Sequence, residues 1–240
     1  MSYARWIIYI GDFRISETVL VSWILMAIIG ISSFLLTRNL KKVPTSKVQI
    51  MVEYVVLAIH NLVKDTIGEQ NAKKMPNMVP YIGSLFFFFI ASNLAGLLGF
   101  RSPTIDLDTT LAWAMMTFVM IYWSGVRFHG LGYFKGLLEP MPLLLPLNVI
   151  GELSKPISLT FRPFGNILGG AVIMNLLYQF LGYLSSFIPG IGSIPIGSLV
   201  IPVPFHFYFD LFAGVLQAFI FIMLTMVFVG SAAEEEELGV

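Results

Sequence analysis

Arg162 is the residue whose type and position most clearly require a chemical role. It lies within a long apolar stretch, and no acidic residue occurs between Glu152 and Asp210. A charge at the centre of a membrane helix costs about 2.5–3.5 kcal/mol on insertion scales, and an arginine cannot lose its proton to avoid this cost. The guanidinium therefore needs a partner or water. The simpler alternative is a structural arginine that pairs within its own bundle or reaches the interface.

Polar residues recur around Arg162 at helical spacing. A helix with 3.6 residues per turn would carry the following residues close to one face: Glu152, Lys155, Ser158, Arg162, Asn166 and Gly169. Gly165 and Gly170 flank Gly169, and together these three glycines would let another helix approach the arginine closely. Packing of helices inside the same subunit explains the glycines equally well. Two prolines, Pro156 and Pro163, remove backbone donors and should bend the helix.

A second polar group lies in the last apolar segment. Asp210, Gly214 and Gln217 are spaced by four and three residues, which predicts that they share one helix face. An isolated carboxylate is costly in lipid, so Asp210 should face a water-filled cavity or pair across helices. A structural bond from Asp210 to the preceding long helix is the alternative. His206, one turn earlier, could extend the polar path, although an interfacial histidine without a role is the simpler interpretation.

The composition indicates a membrane protein. Hydrophobic residues make up 57% of the 240 residues and charged residues 12%, against about 25% charged in soluble domains. The net charge of zero gives no reason to expect a nucleic-acid partner. The absence of cysteine excludes disulfides and thiolate metal sites. No phosphate-binding glycine loop and no H-E-x-x-H motif occur, so the sequence offers no support for a membrane enzyme, and we expect no cofactor and no metal.

Runs of about 20 apolar residues predict the architecture. We expect a single all-α membrane domain, 1–240, with about five crossing helices and one amphipathic surface helix, the last two membrane helices forming a long tilted hairpin. The predicted segments are a first span at 18–36, the amphipathic helix at 45–75, a second span at 81–100, a third at 111–126, a long tilted helix at 143–188 and a final span at 205–229.

The distribution of lysine and arginine predicts the orientation. One short connection, 101–109, holds a single basic residue. The other segments are richer in lysine and arginine, which predicts that they lie inside: Arg38, Lys41, Lys42, Lys47, Lys64, Lys73 and Lys74 after the first span, and Arg127 and Lys135 before the long helix. Five crossings then leave the N-terminus outside and the C-terminus in the cytoplasm.

Two signatures in the last two membrane helices resemble subunit a of the bacterial F-type ATP synthase. They are SKPISLTFRPFGN at 154–166 and LQAFIF at 216–221 followed by LTMV at 224–227. The resemblance extends over the whole chain, because that family also has an outside N-terminus, an amphipathic second helix and a tilted hairpin at the end. Asn93 lies where the family tends to carry a polar residue.

The resemblance implies a specific role for Arg162, which matches the family's essential arginine, with Ser158, Asn166 and Gln217 as its polar surroundings. Three positions depart from the family: Pro163 replaces the usual Leu, Ala171 stands where relatives often have Glu or His, and Asp210 stands where some have His or Glu. The outer access path should therefore depend more heavily on Asp210. Glu152, Lys155 and Ser158 would line the inner path, and Gly165, Gly169 and Gly170 would pack at the ring interface.

The function implied is ion translocation by a subunit that is not itself an enzyme. Two half-channels would carry H⁺ or Na⁺ to and from a rotating ring of subunit c, which drives ATP synthesis elsewhere in the complex. The implied partners are the subunit c ring, the subunit b peripheral stalk, the rest of the ATP synthase and the lipid of the cell inner membrane. The alternative is a stand-alone ion channel or secondary transporter in which Arg162 binds an anionic substrate.

Overall fold

The computed structural model describes residues 7–10, 13–44, 46–187 and 196–234 of the chain. Among these residues, five helical segments are long and apolar enough to cross a membrane: Glu17–Thr37, Met78–Leu97, Leu107–Gly136, Pro142–Ser186 and Pro202–Glu234. The prediction of an all-α polytopic membrane protein is confirmed. A short antiparallel hairpin, which the sequence did not predict, precedes the first span and is formed by β1 (Ile7–Ile10) and β2 (Phe13–Ser16).

The described residues form long helices near the six predicted segments and several short helices between them. The helices are α1 (Glu17–Thr37), α2 (Lys47–Ile67), α3 (Glu69–Lys74), α4 (Met78–Leu97), α5 (Leu107–His129), α6 (Tyr133–Gly136), α7 (Leu145–Ser186), α8 (Ile196–Val200), α9 (Pro202–His206) and α10 (Ala213–Glu234). Short 3₁₀ turns at Pro103–Ile105, Gly130–Gly132 and Pro142–Leu144 connect some of them. A π-helical segment, Phe207–Phe212, joins α9 to α10.

The predicted amphipathic helix is two helices. It breaks at Gly68, whose φ of 83° and ψ of 147° are accessible to glycine because it lacks a Cβ atom. The second half of α2 packs on the protein itself: Val63 and Ile67 are fully buried, and Ile67 contacts Gly230 of α10. This half of the helix therefore lies against the bundle, whereas Met51 and Tyr54 in the first half remain largely exposed.

The core lies between α4, α5 and α10. The Phe89 ring is 4.4 Å from Trp113 and 4.7 Å from Phe221, which joins one aromatic side chain from each helix. Lipid tails are as apolar as these side chains, so close packing and interhelical hydrogen bonds must hold the helices together. The resulting three-helix core is the support on which α7 lies, mainly along α5.

The long helix α7 has 42 residues, which corresponds to about 63 Å at 1.5 Å per residue. The hydrocarbon core is about 30 Å thick, so a membrane helix of this length agrees with the strong tilt expected from the sequence. Pro156 and Pro163 lie inside α7 and are buried on its inner side. The Thr160 hydroxyl donates to the Pro156 carbonyl at 2.8 Å.

Candidate functional site

Arg162 lies on the outward face of α7. Its side chain is exposed at the surface of the chain, and within the described residues it has no hydrogen-bond or ion-pair partner. The residues beside it are large and apolar: Ile157 is 56% exposed and Phe161 is 55% exposed. A permanent cation thus stands on a surface that otherwise suits lipid or another apolar helix, so its charge must be compensated from outside the described chain.

An open seam extends along α7 on both sides of the arginine. We call it the α7 seam; its residues recur at spacings of four and three and are all exposed: Ser158, Arg162, Gly165, Gly169, Val172 and Leu176. A Cβ atom added at Gly165 or Gly169 would meet nothing within 4 Å. These two glycines therefore leave a shallow groove next to Arg162 that no part of the described chain fills.

Gly170 does not belong to this seam. It is buried, and an added Cβ atom would lie 3.3 Å from the Phe209 ring. Adjacent residues on a helix point about 100° apart, so Gly169 faces outward while Gly170 faces the last span. The expectation that all three glycines form one surface is corrected on this point: Gly170 lets α7 pack within its own chain.

Asn166 and Gln217 join α7 to α10 beside the arginine. The Asn166 amide donates to the Gln217 side-chain oxygen at 2.7 Å. Gln217 is only 2% exposed, and its Nε2 atom is buried without a hydrogen-bond partner in the described part of the chain. The bond holds Asn166 one helical turn beyond Arg162, and the free Gln217 amide retains the capacity to donate one more hydrogen bond.

A cavity of about 270 Å³ opens between α4, α7 and the last span. Its polar lining comes from Asn93, Ser102, Asn166 and His206, and its apolar lining includes Ala171. A space of this size and polarity can hold several water molecules. Because Asn166 lines it, the cavity reaches within one helical turn of Arg162.

A chain of hydrogen bonds closes one side of this cavity. Thr104 donates to the side-chain oxygen of Asn93 at 2.8 Å, and the Asn93 amide donates to the Gly214 carbonyl at 2.8 Å. Ser102 donates to the Ser92 carbonyl at 2.6 Å. The connection between α4 and α5 is thereby folded against the start of α10. An added Cβ atom at Gly214 would lie 3.1 Å from the Asn93 Cβ atom, so a larger residue there would push Asn93 away by a few tenths of an ångström.

Asp210 belongs to the π-helical segment Phe207–Phe212, and its side chain lies outside the part of the chain that the structure describes. In a π-helix the hydrogen bonds join residues i and i+5, which adds about one residue per turn. The placement of Asp210 on one face with Gly214 and Gln217 therefore stays a prediction. His206, just before it, lies 3.0 Å from the Tyr178 hydroxyl.

Glu152 and Lys155 form an ion pair at the other end of the seam. Their side-chain atoms are 2.5 Å apart, and both side chains are largely shielded from solvent, with 16% and 24% exposure respectively. The second carboxylate oxygen of Glu152 is buried without a hydrogen-bond partner among the described residues. The pair neutralises both charges near the seam, so neither residue compensates Arg162.

Comparison with known proteins identifies the family. The model of the ATP synthase A chain matches residues 19–230. The chain is also 36% identical over 244 aligned positions to a protein of Propionigenium modestum described as ATP synthase subunit a, sodium ion specific, an alignment that covers 94% of this chain and 77% of the relative. The chain belongs to the ATP synthase A chain family. Membership confirms the resemblance seen in the sequence and places the chain among the ion-translocating, non-catalytic membrane components of ATP synthases.

In this member of the A chain family, the structure brings together only some of the site residues that the sequence predicted. Arg162, Ser158, Gly165 and Gly169 share the α7 seam, and Asn166 connects that region to Gln217. Glu152 and Lys155 pair with each other. Sequence reasoning missed Ser102, Thr104 and Tyr178. The only available signal was the pair of hydroxyl residues on either side of Pro103 in a short polar connection, and this signal is weak.

Proposed function

We propose that this A chain is the stator subunit that carries ions to and from a rotating ring of subunit c. Arg162 is the essential cation of the proposal, and the α7 seam is the surface that faces the ring. The unpaired, outward-facing position of Arg162 carries the proposal, because an arginine on an apolar membrane surface needs a partner that the described chain does not supply.

The chemistry of the ring explains why a fixed cation is needed. Each ring subunit carries a buried carboxylate, which must be neutral while it moves through lipid and therefore travels with a bound H⁺ or Na⁺. When this carboxylate reaches Arg162, the nearby positive charge favours its ionised form. The ion is released there. The same cation repels other cations and prevents a direct leak between the two access paths.

The cavity beside Asn166 is the proposed outer half-channel. Its polar residues, Asn93, Ser102 and His206, can hold water, and the backbone segment that carries Asp210 borders it, since His206 and Phe209 both line the cavity. Asp210 would supply the acidic group of this path, and Gln217 would join it to the arginine through Asn166.

The inner half-channel is proposed to start at Glu152, Lys155 and Ser158. The Glu152–Lys155 pair provides a polar, nearly neutral entrance at the start of the α7 seam. Ser158 lies one turn before Arg162 on the exposed face. This arrangement leaves the two paths on opposite sides of Arg162, as rotation driven by ion flow requires.

We further propose that the partners are the subunit c ring, the subunit b peripheral stalk and the rest of the ATP synthase in the cell inner membrane. The bias of lysine and arginine supports an outside N-terminus and a cytoplasmic C-terminus.

The relative from Propionigenium modestum is described as sodium ion specific, which makes Na⁺ the first ion to test against H⁺. Each ion gains about 2.3 kcal/mol per 100 mV, so several must be coupled to each ATP.

The decisive experiment is ion-driven ATP synthesis by reconstituted complexes that carry Arg162→Ala, in Na⁺-containing and Na⁺-free buffer. We expect an assembled complex with coupled synthesis reduced by at least about 100-fold, equivalent to about 2.7 kcal/mol. Arg38→Ala is the matched control, because Arg38 is an exposed arginine at the end of α1, away from the seam. Coupled synthesis retained by the assembled Arg162→Ala complex would contradict the proposal.

A further inference from the structure

A second cavity lies at the opposite end of the bundle from the Asn93 cavity. It has a volume of about 190 Å³ and lies where α4 begins and α5 and α10 end; Asn77, Tyr81, Met120, Trp123, Arg127 and Val229 line it. The Ser124 hydroxyl contacts both the Met75 sulfur and the Val229 carbonyl, which confirms that these three chain segments meet there. We call this cavity the rim crevice. None of the proposed half-channel residues lines it.

Two cations at or next to the rim crevice lie over aromatic rings rather than against carboxylates: Arg127 lines the crevice, and Lys74 directly precedes the lining residue Met75. The Arg127 guanidinium carbon lies 4.9 Å from the centre of the Trp123 ring, and the Lys74 amine lies 5.1 Å from the centre of the Phe128 ring. Neither cation has an ion-pair partner within the residues that the structure describes. An arginine stacked on a ring keeps its N–H donors free, in a geometry that matches the oxygens of a phosphate.

An apolar stripe leads from Arg127 towards the middle of the membrane. Met116, Met120, Trp123 and Arg127 are spaced by four, three and four residues, so they share one face of α5. Met116 is 58% exposed and Trp123 is 51% exposed. This face of α5 is thus apolar at Met116 and cationic at Arg127. Trp123 lies between them, and tryptophan is enriched at membrane interfaces.

We propose that the rim crevice binds the headgroup of one anionic phospholipid, whose acyl chain lies along the stripe on α5. Arg127 and Lys74 bind the phosphate, while Asn77 offers a polar group to the neighbouring headgroup oxygens. Basic pockets between membrane helices, on the side where lysine and arginine accumulate, suit anionic headgroups. The adjoining exposed stripe favours a lipid over a soluble phosphate, because only a lipid covers both the cationic and the apolar part.

Photolabelling of the reconstituted ATP synthase tests this site. The probes are phosphatidylglycerol and phosphatidylcholine that carry a diazirine at the same position of the acyl chain, each added to phosphatidylcholine vesicles. We expect phosphatidylglycerol to label residues 116–127 at least about fivefold more than phosphatidylcholine, a preference of about 1 kcal/mol. Arg127→Gln should abolish this preference, whereas Arg38→Gln, a control at the end of α1, should leave it unchanged.

Trp123→Leu provides an independent variant, since it removes the ring that positions the guanidinium and leaves the charge. We expect it to weaken the preference for phosphatidylglycerol. Equal labelling by the two lipids, or labelling that survives both Arg127→Gln and Trp123→Leu, would overturn the site. Competition by inorganic phosphate would instead identify a soluble anion site. A photoreactive residue at position 123 that cross-links to another subunit would show a protein interface there, and either of these results would also overturn the proposal.

Discussion

The interior of the α4–α5–α10 bundle and the α7 seam differ in whether their polar groups have partners within the described chain. In the interior, Thr117 and Thr225 lie 3.2 Å apart and hydrogen-bond each other, and Ser124 reaches the Val229 carbonyl. On the seam, Arg162 has no partner in the described chain. These hydroxyl groups find their partners within the subunit, whereas Arg162 is proposed to find its partner on another protein. Substitutions in the two regions should therefore differ in what they damage.

The largest difference, after loss of Arg162 itself, should come from filling the groove of the seam. Gly169→Leu places a bulky side chain where the ring helix is proposed to pass, so we expect coupled ATP synthesis to fall by at least about tenfold, equivalent to about 1.4 kcal/mol. The measurement is ion-driven synthesis by reconstituted complexes with assembly monitored in parallel.

Gly182→Leu is the control for this comparison. Gly182 also lies in α7 with nothing within 4 Å of an added Cβ atom, but it is more than three turns further along the helix. It should retain nearly normal synthesis. Equal losses in both variants would mean that α7 tolerates no added bulk anywhere. The result would then contradict the proposal that the α7 seam is the surface that faces the ring.

A medium effect is expected at the boundary between the two regions. Asn166→Leu leaves the buried Gln217 side chain without its partner, and an unsatisfied buried polar group costs about 1–3 kcal/mol. We expect a lower thermal midpoint together with a partial loss of coupling. In the double variant Asn166→Leu/Gln217→Leu, stability should return while coupling stays low. If coupling recovers together with stability, the Asn166–Gln217 bond has only a structural role.

The smallest effect should come from the interior. Thr117→Val removes one interhelical hydrogen bond, which in membrane proteins averages about 0.6 kcal/mol. The thermal midpoint of the complex should fall slightly, and synthesis per assembled complex should not change. A double-mutant cycle with Thr225→Val measures the coupling between the two hydroxyls. A loss of synthesis without a loss of stability would show that this hydroxyl pair takes part in transport.

Much of the fold could be predicted because membrane insertion depends on local composition. The segment expected at 18–36 is α1, Glu17–Thr37, and its start is marked by Ser16, whose side chain accepts from the Val19 amide. The break at Gly68 was missed because the apolar pattern continues across it. The last span was expected at 205–229, yet helical structure runs from Pro202 to Glu234, because the π segment and the small residues after Val229 continue the helix.

The candidate site was predicted less completely than the fold. Arg162 and the residues three or four positions away from it could be recognised, since the period of a single helix places them on one face. The cavity could not, because its lining combines α4, the 3₁₀ turn after it, α7 and the last span. Asp210 was placed by α-helical spacing; its backbone lies in a π-helical segment and its side chain lies outside the described part of the chain, so this placement stays a prediction.

The amino-acid sequence by itself determined that this protein is a bundle of membrane helices with one arginine in an apolar stretch, because hydropathy and helical period are local properties. Only the tertiary structure decided that Gly165 and Gly169 face outward while Gly170 packs against Phe209. It also decided that Asn166 bonds to Gln217, 51 residues away. The side of a helix that faces inward depends on which other helices pack against it, and those contacts join residues that are distant along the chain.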